Sequence, residues 1–68
     1  MKIKAKEEFK RIRVVKGYSI QALARAMKVN ASVVFNIEHG NAVRPATAKK
    51  ASTALEEAFE TLFIIENN

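Results

Sequence analysis

At 68 residues the chain has room for one small domain, and 49% hydrophobic residues with two Gly and one Pro exclude disorder and a loop-rich β scaffold. No cysteine and a single histidine, His39, exclude disulfide frameworks, thiol catalysis and Cys/His metal clusters. The formal charge of +5 is polarised: residues 1–16 hold seven Lys and Arg against Glu7 and Glu8, whereas residues 56–68 hold four Glu and no cation, which aims a basic front at polyanions.

The alternation Lys2-Ile3-Lys4-Ala5-Lys6 leaves three roles open for the start of the chain: a solvated tail, an arm touching a polyanion, or a short strand. It leans towards the strand, paired with residues 63–65. A first helix is expected over roughly Glu7–Lys16, its apolar stripe carried by Phe9 and Ile12, with Gly17 as the left-handed stop. Ser19 is an N-cap residue for a second helix that buries Ile20, Leu23, Ala24 and Met27. After Lys28-Val29, Asn30 caps a third helix from Ala31 to about Glu38, with Val34 and Ile37 one turn apart and Gly40 closing it. Pro45 suits the first position of a fourth helix, since the N–H it lacks has no partner there, and Ala46 to Leu55 continue it. Glu56-Glu57-Ala58 carries no breaker, so the end of that helix stays open. Phe59, Leu62 and Phe63 have helical spacing, and Ile64-Ile65 has the composition of a strand.

The longest apolar run, Leu62–Ile65, is four residues and far too short to span a membrane. No signal peptide precedes the charged start, and a cytoplasmic, nucleoid-associated location is expected.

The most informative stretch runs from Ile20 to Ile37. Counting Ile20 as one, apolar residues fall at four, eight, ten, fifteen and eighteen (Leu23, Met27, Val29, Val34, Ile37), and small Ala24 stands at five. That spacing fits two short helices crossing steeply over a three- to four-residue turn, with Ala24 where the helices come too close for a larger side chain.

This pattern resembles the helix-turn-helix of the phage-repressor (Cro/repressor-type, xenobiotic-response-element) family of DNA-binding regulators. The resemblance extends from Phe9 to about Phe63. It includes Arg13 and Gly17-Tyr18-Ser19 before the motif, Ile37-Glu38-His39-Gly40 at its end, and Arg44-Pro45 at the start of the fourth helix. Two positions depart from the family. Lys28 stands where Gly is frequent and φ is positive, at a cost of ~1–2 kcal/mol for a residue with a Cβ. Ile20 stands where Gln often touches a phosphate, although backbone N–H groups at a helix start also bind phosphate.

The resemblance implies an all-α fold of four to five helices, residues 1–68 forming one domain, with a short strand available from the terminal segments. It implies that the third helix enters the major groove of double-stranded DNA. Base contacts then fall to Asn30, Ala31, Ser32, Val33, Phe35 and Asn36. Asn36 suits adenine through both its amide groups, while Val33 and Phe35 suit thymine methyls, so an A·T-rich site is expected. Phosphate contacts are expected from Ser19, Gln21, Lys28, Arg44, Lys49 and Lys50. Arg13 and Glu38 are expected to form an ion pair between the first helix and the end of the third. Leu62, Phe63, Ile64 and Ile65 are expected to contribute to a homodimer interface. His39, beside Gly40, reads as a helix-end residue.

These residues describe a transcriptional regulator, in its simplest form a repressor acting as a homodimer on an inverted repeat. The alternative is an antitoxin or anti-repressor type of protein whose main task is a protein partner. Only residues 1–6 and 60–68 are spare for that partner, which favours the plain regulator. An enzyme is a distant third, because the sequence offers no nucleophile–base pair and no phosphate-cradling Gly loop. No cofactor, metal or small-molecule ligand is expected.

Overall fold

The computed structural model describes residues 1–67, as β1 (Lys2–Ala5), α1 (Glu8–Val15), α2 (Ile20–Met27), α3 (Ala31–Glu38), α4 (Pro45–Leu55), α5 (Phe59–Leu62) and β2 (Phe63–Glu66). The chain is predominantly helical, at 58%, but not purely all-α: as the alternation at its start suggested, its two ends pair as an antiparallel sheet, in register from Lys2–Glu66 to Ala5–Phe63. Alternation explains the strand, since it turns Ile3 into the core while Lys2 stays exposed and Lys4 half-exposed. The other edge of β1 is met by the α3–α4 connection, where the Val43 N–H donates to the Ile3 carbonyl at 2.8 Å.

Four helices end in the same way. At Gly17, Lys28, Gly40 and Glu56 the backbone turns left-handed, with φ of 87, 60, 83 and 55°. In each case the next N–H reaches back five residues: Tyr18 to Arg13, Val29 to Ala24, Asn41 to Asn36 and Glu57 to Ser52, all between 2.9 and 3.1 Å. Lys28 thus has the positive φ expected of it. Glu56 supplies the stop that the sequence left open, so α4 ends at Leu55 and a separate short α5 follows.

The core joins all of these elements. Phe9, Leu23, Val34, Leu55, Leu62 and Phe63 are almost completely excluded from water. Phe63 lies between Phe9 and Phe59, with ring centroids 5.6 and 5.4 Å away. Ala24, Ala48 and Ala51 are also buried, and a larger side chain at any of them would hold the helices apart.

Candidate functional site

The first two helices of the site, α2 and α3, have eight residues each and are joined by Lys28, Val29 and Asn30. The Ser19 hydroxyl caps α2 by accepting from the Ala22 N–H at 3.0 Å. Ile20 is half-buried against the core, so its departure from Gln gives packing in place of a polar contact. Asn30 caps α3 with its backbone alone, which leaves its side-chain amide uncommitted.

The inward face of α3 is Val34 and Ile37, at 0% and 3% exposure. Its outward face has i, i+3, i+4, i+7 spacing: Ser32, Phe35, Asn36 and His39 are all exposed. Ala31 and Val33 are only half-exposed, and Val33 packs partly on the core. These two therefore lie at the margins of the face.

His39 stands outside the expected set of site residues, although that same spacing marks it. Its ring stacks on Phe35 with centroids 3.8 Å apart and planes 23° from parallel. Its Nδ1 lies 2.8 Å from the Phe35 carbonyl, and since a carbonyl only accepts, Nδ1 carries the proton and donates. Nε2 remains free. The stack also braces Phe35, an aromatic that is 49% exposed.

The orientation of α3 is fixed from behind by Arg13 and Glu38, whose side chains are 7% and 6% exposed. The guanidinium meets the carboxylate as a fork, Nε on Oε2 and Nη2 on Oε1, the second at 3.2 Å. Its Nη1 donates to the Tyr18 carbonyl at 2.7 Å. One side chain thus ties α1, the α1–α2 connection and the end of α3 together, and no buried side-chain polar atom among the described residues is left without a partner.

The expected phosphate-binding cations separate into two groups. Arg44, the N-cap residue of α4, shares with Asn36, Val33 and Thr47 the wall of a surface cleft of about 250 Å³ between α3 and α4. Lys28, Lys49 and Lys50 instead surround a second groove of about 480 Å³ between the end of α2 and α4, floored by Met27, Ala46 and Ala54 and lined by no residue of α3. Ser19 and Gln21 are exposed at the start of α2. Among the described residues, no three His, Cys, Asp or Glu side chains are grouped to hold a metal ion. No helix among them is long and apolar enough to cross a membrane.

The expected dimer segment is corrected in part. Leu62 and Phe63 are 0% and 1% exposed within their own chain, with the Phe63 ring packed by Phe9 and Phe59, and cannot reach a second subunit. Ile64 and Ile65 remain outside, at 49% and 45% exposure.

Compared with known proteins, the chain matches no family model, no curated protein and no solved structure.

Proposed function

We propose that the chain is a sequence-specific double-stranded DNA-binding regulator, a repressor in its simplest form, that acts as a homodimer on an inverted repeat with α3 in the major groove. The observation that carries this reading is the shared surface of Asn36 and Arg44. A side chain suited to a base edge and a cation suited to a phosphate line one cleft, at the junction of two helix-bearing elements. The turn at Lys28 supports it, because the motif resembling that of the phage repressors folds into two short helices with a left-handed residue where the family pattern needs one.

The face has a definite chemical character. Asn36 offers a donor and an acceptor, Ser32 a hydroxyl, and Phe35 an apolar surface, with no Arg or Lys among them to pair with guanine. An A·T-rich half-site follows. Selection from a random DNA library tests the proposal: the expected product is two inverted A·T-rich half-sites about one helical turn, ~34 Å, apart. Failure to enrich any sequence, with the folded protein in excess, would overturn it and move a protein partner to the front.

A further inference from the structure

We propose that the groove between the end of α2 and α4 binds a small amphipathic carboxylate, its apolar body along the floor and its anionic head among Lys28, Lys49 and Lys50. The site is separate from the outward face of α3 and does not depend on DNA binding.

The groove exists because its walls are built largely from short side chains. On α4, Ala46, Lys49, Lys50, Thr53 and Ala54 follow i, i+3, i+4, i+7, i+8 spacing and form one stripe. Across from them lie Ala26, Met27 and Lys28 at the end of α2. Met27 is 2% exposed and Ala54 packs partly on the core, so the floor is continuous with the apolar interior. Ala26 and Ala46 are exposed and too short to close over it. The space left, about 480 Å³, falls in the size range of small-ligand sites.

The rim carries three cations and no carboxylate. Among the described residues, ion pairs engage Lys4, Arg13 and Lys16, and none engages Lys28, Lys49 or Lys50. Three ammonium groups around one apolar floor set up a positive potential that an anionic head group complements. Lys28 contributes to it from a left-handed backbone, φ 60°, which Gly would adopt without steric cost but also without the charge.

The lining also selects among anions. A bare phosphate gains nothing from Met27 and the alanines. Protein interfaces are built around aromatic or Arg anchors and are poor in Lys, whereas this lining has three Lys and no aromatic. An alkyl carboxylate uses both floor and rim: the eight steps from Ala46 to Ala54 cover about 12 Å of helix, roughly the length of a ten-carbon chain. The groove is open on one side and its charges are screened by salt, so binding is weak.

The test titrates decanoate, below its micelle concentration, into the full chain without DNA, followed by amide NMR. Saturable shifts are expected at Met27, Lys28, Thr53 and Ala54, with Ser32, Phe35 and Asn36 unmoved. Octanoate is expected to bind about fourfold more weakly, because two half-buried CH₂ groups are lost. Acetate, which lacks the tail, and decyltrimethylammonium, which reverses the head, are expected to give no saturable shifts there. Lys49→Gln combined with Lys50→Gln is expected to weaken decanoate about three- to tenfold. Ala46→Leu fills the groove from an exposed position without entering the core, and is expected to weaken it at least as much. If decanoate unfolds the chain, octanoate replaces it in every arm. Shifts scattered over the surface or centred on Ile64 and Ile65, equal binding of acetate or decyltrimethylammonium, or unchanged affinity in both variants would each overturn the proposal. Groove binding in a chain that selects no DNA sequence leaves this proposal standing and removes the DNA reading, and a selected DNA site with no decanoate shifts does the reverse.

Discussion

The outward face of α3 and the edge of β2 both bring large apolar side chains into water, for different physical reasons. On α3 the exposed Phe35 sits among Ser32, Asn36 and His39, braced by a stack, and its backbone is fully engaged in the helix. On β2 the backbone of the exposed Ile64 pairs with Lys4, whereas the N–H and C=O of the exposed Ile65 face the open edge and have no partner among the described residues. The first surface offers side-chain chemistry, which suits reading a varied partner such as base edges. The second offers main-chain hydrogen bonds in a fixed repeat, which suits a strand. Exposed apolar area alone does not distinguish the two; the state of the backbone beneath it does.

The largest expected effect breaks α3 while sparing the sheet. Glu38→Ala leaves the Arg13 guanidinium buried without its carboxylate and is expected to cost ~3–5 kcal/mol in urea unfolding. Glu57→Ala, which removes the partly exposed Lys16–Glu57 bridge at 3.1 Å, is expected to cost no more than ~1 kcal/mol. Equal losses from the two would mean that Arg13 and Glu38 do not act as a buried pair.

A smaller effect sharpens the contrast at Phe35. Replacing thymine by uracil in the selected site removes one methyl per substitution. Where Phe35 covers that methyl, affinity is expected to fall about fourfold, from ~0.8 kcal/mol per buried carbon. Phe35→Ala should abolish that difference, and His39→Ala should reduce it by freeing the ring. Undiminished methyl sensitivity in Phe35→Ala would assign Phe35 to another role.

Effects of a similar, small size lie at the helix stops. Lys28→Gly and Glu56→Gly remove the same steric cost and are each expected to stabilise by up to ~1 kcal/mol, after the greater unfolded-state entropy of Gly is subtracted. Denaturant midpoints check this. A clear loss at Lys28 alone would show that its side chain matters to the α2–α3 turn beyond backbone conformation.

Much of the fold was legible because its signals are local. Ser19, Gly17, Gly40 and Pro45 mark helix ends through capping and φ preference, and the spacing from Ile20 to Ile37 sets which faces of α2 and α3 are buried. Glu56 was not legible as a stop, since an acidic residue rarely adopts positive φ and nothing local announces that it does here. The pairing of the two chain ends was legible in the alternation of residues 2–6, but the packing of Phe63 against Phe9, which helps to close Phe63 off from water, is a tertiary fact without a sequence period. His39 was within reach of the helical spacing but reads locally as a helix end, and only its stack on Phe35 brings it into the candidate site. The separation of Arg44 from Lys49 and Lys50 follows from how α4 lies against α2, which charge counting does not see.

The central claim is that α3 reads bases while Arg44 holds a phosphate, and one set of binding isotherms tests it most directly. Wild type, Asn36→Ala and Arg44→Ala are each titrated with the selected site and with a scrambled duplex at several salt concentrations. Asn36→Ala is expected to lose ~1–3 kcal/mol on the selected site alone, with the salt slope unchanged. Arg44→Ala is expected to weaken both duplexes by similar factors and to reduce the magnitude of the salt slope by ~0.9 for each phosphate no longer neutralised. If Asn36→Ala weakens both duplexes equally, or neither variant alters DNA binding, α3 is not the reading element and the account fails.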